Sequence, residues 1–309
     1  QRQMCIRDRY TVYKSKSQEV RMKKTVLITD LDNTLFDWFS VWYHSFNAML
    51  NKVVEISGFS RDDLIAQIKP IHQRYGTAEY SFILESIPLL QEKYGDRDSI
   101  NSAMDDAIHA FRSERKKYLT LYPTVMDTLN TLKNKGCYIV AYTESKAYYS
   151  NFRLTRLGLD GVINVLFSPE DHEIPDGEEK QSKYDLILTK QEYTPVDEIK
   201  PNPQLLLDII KSIGATPEEC VYIGDSEMKD IEMAQKANVS DVFASYGTGH
   251  FEDNKEGYEL LRAVTHWTDA DVERERKIKE NSFGAKPTYV AKQFSDILSF
   301  FNFTTFKGK

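Results

Sequence analysis

The sequence has no long hydrophobic run, because nowhere in its 309 residues do about 18 apolar residues follow one another. It also shows no signal peptide with a charged start and a small-residue cleavage site. We therefore expect a cytoplasmic protein without a membrane partner. Its length allows one large hydrophobic core or two modest ones, and we expect a core domain with a second domain inserted in it.

Cysteine and histidine are scarce. The three cysteines lack the spacing of a zinc site, and Cys137 and Cys220 each begin an apolar run, which predicts buried thiols rather than disulfides. The six histidines show no paired spacing, which indicates ordinary core or surface residues rather than metal ligands. They are His44, His72, His109, His172, His250 and His266.

Positive charge is not in excess either. The 40 basic and 47 acidic residues give a formal net charge of −7, which argues against a nucleic-acid surface built on attraction to phosphates. An anionic substrate must then be met locally, by a metal ion or by particular lysines.

A short apolar run near the start ends in two aspartates. The stretch Thr25–Leu35 reads TVLITDLDNTL, and its β-branched residues indicate a buried strand with Asp30 and Asp32 at its carboxyl end. An Asx turn that caps the strand is the simpler interpretation of such a pair. Complementary groups at other strand ends argue against it.

Four further residues are candidates for a functional site. Thr143 ends the apolar run Cys137–Tyr142, Lys200 precedes Pro201 at a helix start, and Asp225 follows a fourth strand, with Asp230 soon after it. The alternation of strands and helices predicts a parallel sheet with helices on both faces. Ligands bind beyond the carboxyl ends of the strands in such sheets, so these side chains are expected to meet.

In these motifs and their order, the chain resembles the haloacid dehalogenase superfamily, in particular its phosphatases with a helical cap, such as those similar to phosphoglycolate phosphatase. The resemblance implies a Rossmann-like core and an inserted α-helical cap. By this resemblance Asp30 is the nucleophile that forms an aspartyl-phosphate, and Asp32 is the general acid and base. Thr143 and Lys200 bind the phosphate. The implied Mg²⁺ ligands are Asp30, the Asp32 carbonyl and Asp225, with Asp230 holding the water shell of the metal. Glu144 departs from the small polar residue that the family often has after the threonine.

The domain boundaries follow from these assignments. We expect the catalytic core in residues 22–36 and 120–309, and the cap in residues 37–119, with helices near Asp37–Lys52, Asp62–Tyr75, Ala78–Tyr94 and Ser99–Tyr118. Trp38, Trp42, Tyr43 and His44 are expected mostly to pack the core of the cap, although they can also line a substrate pocket. Residues 1–21 are expected to be a non-native or disordered leader, with a basic recruiting arm as the alternative.

Two further stretches carry predictions about local structure. The sequence of residues 168–199 predicts a long loop or flap with a short helix near Ser182–Leu188. Polar helices are expected at Glu256–Val264 and Asp269–Glu280, followed by a last strand at Pro287–Ala291 and a covering helix at Phe294–Phe303.

The sequence thus predicts a Mg²⁺-dependent hydrolase of phosphate monoesters that acts on a small phosphorylated metabolite. A phosphomutase would use the same residues with a sugar hydroxyl as the acceptor. A dehalogenase would need neither Asp32 nor a metal. A binding module that keeps the fold without turnover is the remaining alternative, and the intact acidic residues and Lys200 argue against it.

Overall fold

The computed structural model describes residues 21–174, 184–196, 198–249, 254–269, 273, 276 and 285–308. Almost all of the predicted leader, His250 and most of the helix predicted at Asp269–Glu280 lie outside this range. No helix within it is long and apolar enough to cross a bilayer, and the cytoplasmic location stays a prediction.

A parallel sheet forms the centre of the described chain. Its strands are β2 (Val26–Thr29), β3 (Tyr138–Tyr142), β4 (Val165–Ser168), β5 (Lys190–Tyr193), β6 (Cys220–Gly224), β7 (Ser240–Ala244) and β8 (Tyr289–Ala291), in the spatial order β5-β4-β3-β2-β6-β7-β8. The chain runs outward from β2 to β5, then returns and continues from β6 to β8. The α/β class with a Rossmann-like sheet is confirmed.

Helices cover both faces of this sheet, because its strands are apolar on both sides. Leu27 of β2 packs into one hydrophobic cluster with α6 (Val125–Asn134) and α7 (Ala147–Arg156). Val26 and Ile28, which point the other way, pack with α8 (Pro203–Ser212) and α9 (Glu232–Lys236). Both Cys137 and Cys220 are buried free thiols, as predicted.

A helical unit is inserted after β2. It contains α1 (Trp38–Ser57), α2 (Arg61–Tyr75), α3 (Pro88–Tyr94), α4 (Arg97–Ala103) and α5 (Asp105–Tyr118), with a 3₁₀ turn at Leu84–Ser86. The unit leaves and rejoins the sheet side by side, since Phe36 bridges to Leu121 and the Tyr122 amide donates to the Leu35 carbonyl at 2.9 Å. Trp42 and Tyr43 are buried in its own core, in agreement with the packing role predicted for them.

The helix α10 (Lys255–Val264) belongs to a later part of the chain, yet it packs against this unit. Its Leu260 and Val264 join the hydrophobic cluster of the helical unit, and the Val264 carbonyl accepts a hydrogen bond from His72 Nδ1 at 2.7 Å. The helix was expected at Glu256–Val264, and its position over α2 gives the helical unit a second attachment to the rest of the protein.

Some predicted elements are wrong. The described part of the proposed helix near Ser182–Leu188 is not helical, and the edge strand β5 follows it. The helix expected at Ala78–Tyr94 begins only at Pro88, and Met104 divides the one expected at Ser99–Tyr118. The last expected helix is a 3₁₀ turn and α11 (Ile297–Phe300), followed by β9 (Asn302–Phe303), which pairs with β1 (Lys23–Lys24).

Candidate active site

The carboxyl ends of three adjacent strands bring the predicted residues together. In the sheet register Thr29 of β2 pairs with Ala141 of β3 and with Ile223 of β6. Asp30, Thr143 and Asp225 therefore emerge at neighbouring points of one edge. The strands from β3 to β5 lie on one side of β2, and those from β6 to β8 lie on the other side. Doubly wound sheets bind ligands at the point where the strand order switches in this way, here between β2 and β6.

Lys200 lies at the centre of the acidic residues. Its Nζ is 2.6 Å from Asp30 Oδ1 and 3.0 Å from Asp230 Oδ1, and all three side chains are buried. Although burial disfavours its charged form, the carboxylates of Asp230 and Asp30 raise the pKa of Lys200 well above its usual value. The lysine is therefore a permanent cation beside Asp30.

Asp230 is held by two further contacts. Beyond Lys200, Tyr222 Oη donates to its Oδ1 at 2.9 Å and the Ser226 amide donates to its Oδ2 at 3.1 Å. It lies on a π-helical turn at Glu227–Ile231, which follows β6 directly. Tyr222 was not singled out from the sequence, because it reads there as an ordinary apolar strand residue.

The carboxylates of Asp30, Asp225 and Asp230 crowd one another, with an oxygen of each within 4.8 Å of the others. Burial first, and then the carboxylates of Asp30 and Asp230, raise the pKa of Asp225 well above its usual range. Burial raises the pKa of Asp30 to about 7, while Lys200 opposes this shift. Three acidic groups share one ammonium, and hard oxygen donors around excess negative charge are the ligand set that suits Mg²⁺.

Asp32 points to a different set of partners. Ser145 Oγ donates to Asp32 Oδ2 at 2.5 Å, and Arg153 Nη1 lies 3.2 Å from Asp32 Oδ1. Burial raises the pKa of Asp32, and the Arg153 guanidinium works against this shift. The two aspartates of the motif therefore stand in separate surroundings, one with Lys200 and the other with Arg153.

Arg153 also connects this site to the helical unit. Its Nη2 donates to both carboxylate oxygens of Glu79, at 2.6 and 2.7 Å, and Trp38 Nε1 donates to Glu79 Oε2 at 3.0 Å. Sequence reasoning missed Ser145, Arg153 and Glu79. Ser145 follows Thr143 closely and was within reach of a motif search, whereas Arg153 lies in mid-helix and Glu79 in a loop, where no local pattern marks them.

Thr143 and Glu144 directly follow strand β3. The Ser145 amide donates to Thr143 Oγ1 at 3.1 Å, so the threonine hydroxyl keeps its proton for another acceptor. Glu144 Oε1 accepts from the Lys200 amide at 2.8 Å, and Glu144 Oε2 pairs with Lys229. Although burial favours its neutral form, Lys229 and Lys200 hold the pKa of Glu144 below its usual value. The residue that departs from the family pattern thus fixes the backbone that carries Lys200.

The loop after β7 supports the turn that follows Asp32. A Cβ at Gly247 would lie 1.9 Å from the Asn33 carbonyl oxygen, so only glycine permits this approach. Beside it, Tyr246 Oη donates to the Thr34 carbonyl at 2.8 Å. The aspartate turn is therefore also held by the loop after β7.

Comparisons with known proteins agree with this fold. A family model for haloacid dehalogenase-like hydrolases matches residues 24–238, and a second model of HAD-like hydrolases matches residues 199–297. The first match spans more than half of the chain, so the protein belongs to the haloacid dehalogenase-like hydrolase family. The predicted family membership is confirmed.

The chain is similar to several phosphatases. It is 25% identical over 224 residues to a glyceraldehyde 3-phosphate phosphatase of Methanopyrus kandleri, covering 72% of this chain and 83% of that protein. It is 27% identical over 235 residues to a phosphoglycolate phosphatase of Colwellia psychrerythraea, covering 75% and 88%. The chain is thus an enzyme of the phosphatase type within its family.

A solved structure shares the fold. It is a 2-haloacid dehalogenase from Pseudomonas syringae pv. Tomato DC3000, with a TM-score of 0.50 and 17% identity over 90% of this chain and 97% of that one.

Proposed function

We propose that the protein hydrolyses a small phosphorylated metabolite through an aspartyl-phosphate on Asp30, with Mg²⁺ as cofactor. The observation that carries this proposal is the contact of Lys200 with Asp30 beside two further carboxylates. A carboxylate that attacks a phosphate dianion faces repulsion between like charges, and this arrangement meets it with a buried lysine and a set of cation ligands.

The residues divide the chemistry between them. An oxygen of Asp30 attacks phosphorus, and the bond to the leaving oxygen breaks as Asp32 gives that oxygen a proton. A water then attacks the aspartyl-phosphate, Asp32 takes a proton from it, and the bond between Asp30 and phosphorus breaks. Lys200 neutralises the phosphoryl oxygens, and Thr143 donates a hydrogen bond to one of them.

The metal ligands would be the carboxylates of Asp30 and Asp225 and the Asp32 carbonyl, with Asp230 holding the water shell. Mg²⁺ bound there supplies positive charge against the phosphoryl oxygens. The crowding of the three carboxylates fits such an ion, since Lys200 alone leaves their negative charge in excess.

We also propose that residues 37–119 act as a cap over a core of residues 22–36 and 120–309. The adjacent exit and return at Phe36 and Leu121 support a unit that moves as one piece. Closure of such a unit would exclude water from the phosphoryl group. The contact of Glu79 with Arg153 is the point where the unit meets the groups around Asp32.

Metal dependence and a covalent intermediate test this proposal. Purified protein with p-nitrophenyl phosphate should release inorganic phosphate with Mg²⁺ and stop in excess chelator. Asp30→Asn should abolish turnover and any acid-stable phosphate adduct, whereas Asp208→Asn, an exposed carboxylate on α8, should match the wild type. Full activity in chelator, or normal turnover of Asp30→Asn, would contradict the proposal.

A further inference from the structure

A positively charged cavity lies beside the helical unit. It measures about 880 Å³, and its lining includes Arg112, Arg115, Lys116 and Lys117 of α5, with Tyr148 and Tyr184. Among the described residues that line it, none is acidic. Lys117 pairs with Glu114 at 3.3 Å, but no ion pair involves the other three cations within the described parts of the chain. The described residues that line this cavity therefore carry positive charge without an acidic residue among them.

Arg115 is the unusual member of this set, because it is only 8% exposed. Its guanidinium lies 4.0 Å from the centroid of the Phe152 ring and 5.3 Å from that of Phe111. Its Nε has no hydrogen-bond partner among the described residues. Among the described residues no ion pair involves Arg115; a buried charge without an acidic partner is costly, and stacking on aromatic rings offsets only part of that cost. Its position is suited to an anion supplied from outside the chain.

A second cavity extends from this place to Glu79. It measures about 670 Å³, shares Arg112, Arg115 and Tyr148 with the first, and extends to Tyr149 and Glu79. Tyr149 stands between the two arginines, with Arg115 Cζ at 5.9 Å and Arg153 Cζ at 5.7 Å from its ring centroid. Glu79 binds Arg153, which contacts Asp32. The second cavity thus runs from Arg115 to Glu79, whose carboxylate holds the arginine that contacts Asp32.

We propose that Arg115, with Arg112 beside it, binds a second anionic group of the substrate, so that the preferred substrates are phosphate esters that also carry a carboxylate or another phosphate. This inference rests on the proposed function, since the first phosphate is the one attacked by Asp30. A planar guanidinium suits such a group, because it can donate two parallel hydrogen bonds to a carboxylate or a phosphate. Arg115 is then a specificity-determining residue.

The experiment compares two kinds of substrate in matched variants. Arg115→Met keeps an unbranched side chain over Phe152 and removes the charge. Arg74→Met is the control, because Arg74 also stacks on a ring of the helical unit, that of Tyr75 at 5.6 Å, but is exposed and lines neither cavity. kcat and KM are measured with phosphoglycolate and 3-phosphoglycerate, and with p-nitrophenyl phosphate and glyceraldehyde 3-phosphate, which lack a second anionic group.

For the two substrates with a carboxylate, Arg115→Met should lower kcat/KM by about 10- to 100-fold, mainly through KM, as expected for a lost charge-assisted hydrogen bond. The other two substrates should change by less than about 3-fold, Arg115→Lys should recover part of the loss, and Arg74→Met should match the wild type. Equal losses for all four substrates, or no loss, would overturn the inference while leaving the proposed function standing. Failure of the wild type to hydrolyse any of them would instead count against the proposed function.

A free anion is the other source of the same chemistry. If added acetate or inorganic sulfate changes hydrolysis of p-nitrophenyl phosphate by the wild type but not by Arg115→Met, and the substrates are not discriminated, the pocket binds a separate anion. That result would overturn its assignment to the substrate.

Discussion

Gly224 is a residue at which the site has no room for a side chain. A Cβ placed there would lie 2.3 Å from Asp230 Cγ, which is closer than any real contact between such atoms. Asp230 cannot retreat easily, because Lys200, Tyr222 and the Ser226 amide all hold it. The glycine at the end of β6 is therefore required by the position of Asp230 rather than by its own backbone conformation.

Gly224→Ala is expected to displace Asp230 and to cost about 1 to 3 kcal/mol of folding free energy, as overpacking does. Phosphatase activity should fall with it, because Lys200 loses one of its two partners. Gly249→Ala is the matched control, since no atom lies within 4 Å of its added Cβ. Thermal unfolding and kcat/KM measure both effects, and a Gly224→Ala protein as stable and active as the control would show that Asp230 has room to move.

Asp32→Asn separates the roles of the two aspartates. The variant keeps Asp30, Lys200 and the backbone carbonyl, so attack on an aryl phosphate should survive better than hydrolysis of the intermediate. Loss of proton transfer should cost roughly 10² to 10⁴ in turnover. Rapid-quench mass spectrometry should detect phosphate on Asp30 in this variant. Turnover at the wild-type rate would remove Asp32 from the proton transfer.

Some residues of the site could be predicted from the sequence, and others could not. Asp30, Thr143 and Asp225 each follow an apolar strand, so a local pattern and the geometry of parallel sheets are enough to bring them together. Arg153 and Glu79 reach the site only through the packing of α7 against the helical unit, and no local pattern encodes that contact. Arg115 was likewise hidden, since a cationic residue near a helix end normally faces water.

His72 on α2 is buried where this helix meets α10. Burial lowers its pKa to about 4, against the opposing effect of its hydrogen bond to the Val264 carbonyl. In the unfolded chain the imidazole binds a proton near pH 6.5, whereas in the folded protein it stays neutral down to about pH 4. Between these values the unfolded state holds more protons, so stability falls as the pH falls.

His72→Gln should therefore flatten the pH dependence of unfolding between about pH 6.5 and 4 relative to the wild type. One pKa unit corresponds to about 1.4 kcal/mol, so the shift to a pKa of about 4 is worth about 3 kcal/mol once both states are protonated. His109→Gln, at an exposed histidine of α5, serves as the control. Urea unfolding at a series of pH values measures the difference, and parallel curves for wild type and His72→Gln would contradict it.

Elements were predictable where their pattern is strong. The apolar strands β2, β3 and β6 were expected close to where they occur. The edge strand β5 was missed because its residues KQEY are polar and it pairs on one side only, with β4. The start of helix α5 was predicted too early in the sequence, because no local pattern indicates a helix break at Met104. The backbone of Met104 leaves the helical region while its side chain is buried.

The molecule as a whole contains a hydrophobic cluster on each face of the sheet and a separate one in the helical unit. Because α10 places Leu260 and Val264 in that third cluster, the helical unit depends on a segment that follows β7. Its stability is therefore linked to the last third of the chain.

Leu260→Ala should loosen the helical unit selectively. Truncation of a buried leucine costs about 2 to 5 kcal/mol, and the loss should appear as faster hydrogen exchange in α1 and α2, with the sheet strands unchanged. Leu206→Ala, an equivalent truncation under the sheet, should instead speed exchange in the strands. Mass-spectrometric hydrogen exchange distinguishes the two patterns, and a uniform increase in Leu260→Ala would show that the protein unfolds as one unit.

The attachment of α10 also bears on how the specificity of this enzyme can be re-engineered. Replacing residues 37–119 with the helical segment of a relative would leave Leu260 and Val264 against a surface that is not complementary to them. It would also remove the hydrogen bond between His72 and the Val264 carbonyl. A working chimera would have to transplant residues 255–264 together with the insertion, because the two segments are separate in sequence but share one hydrophobic cluster.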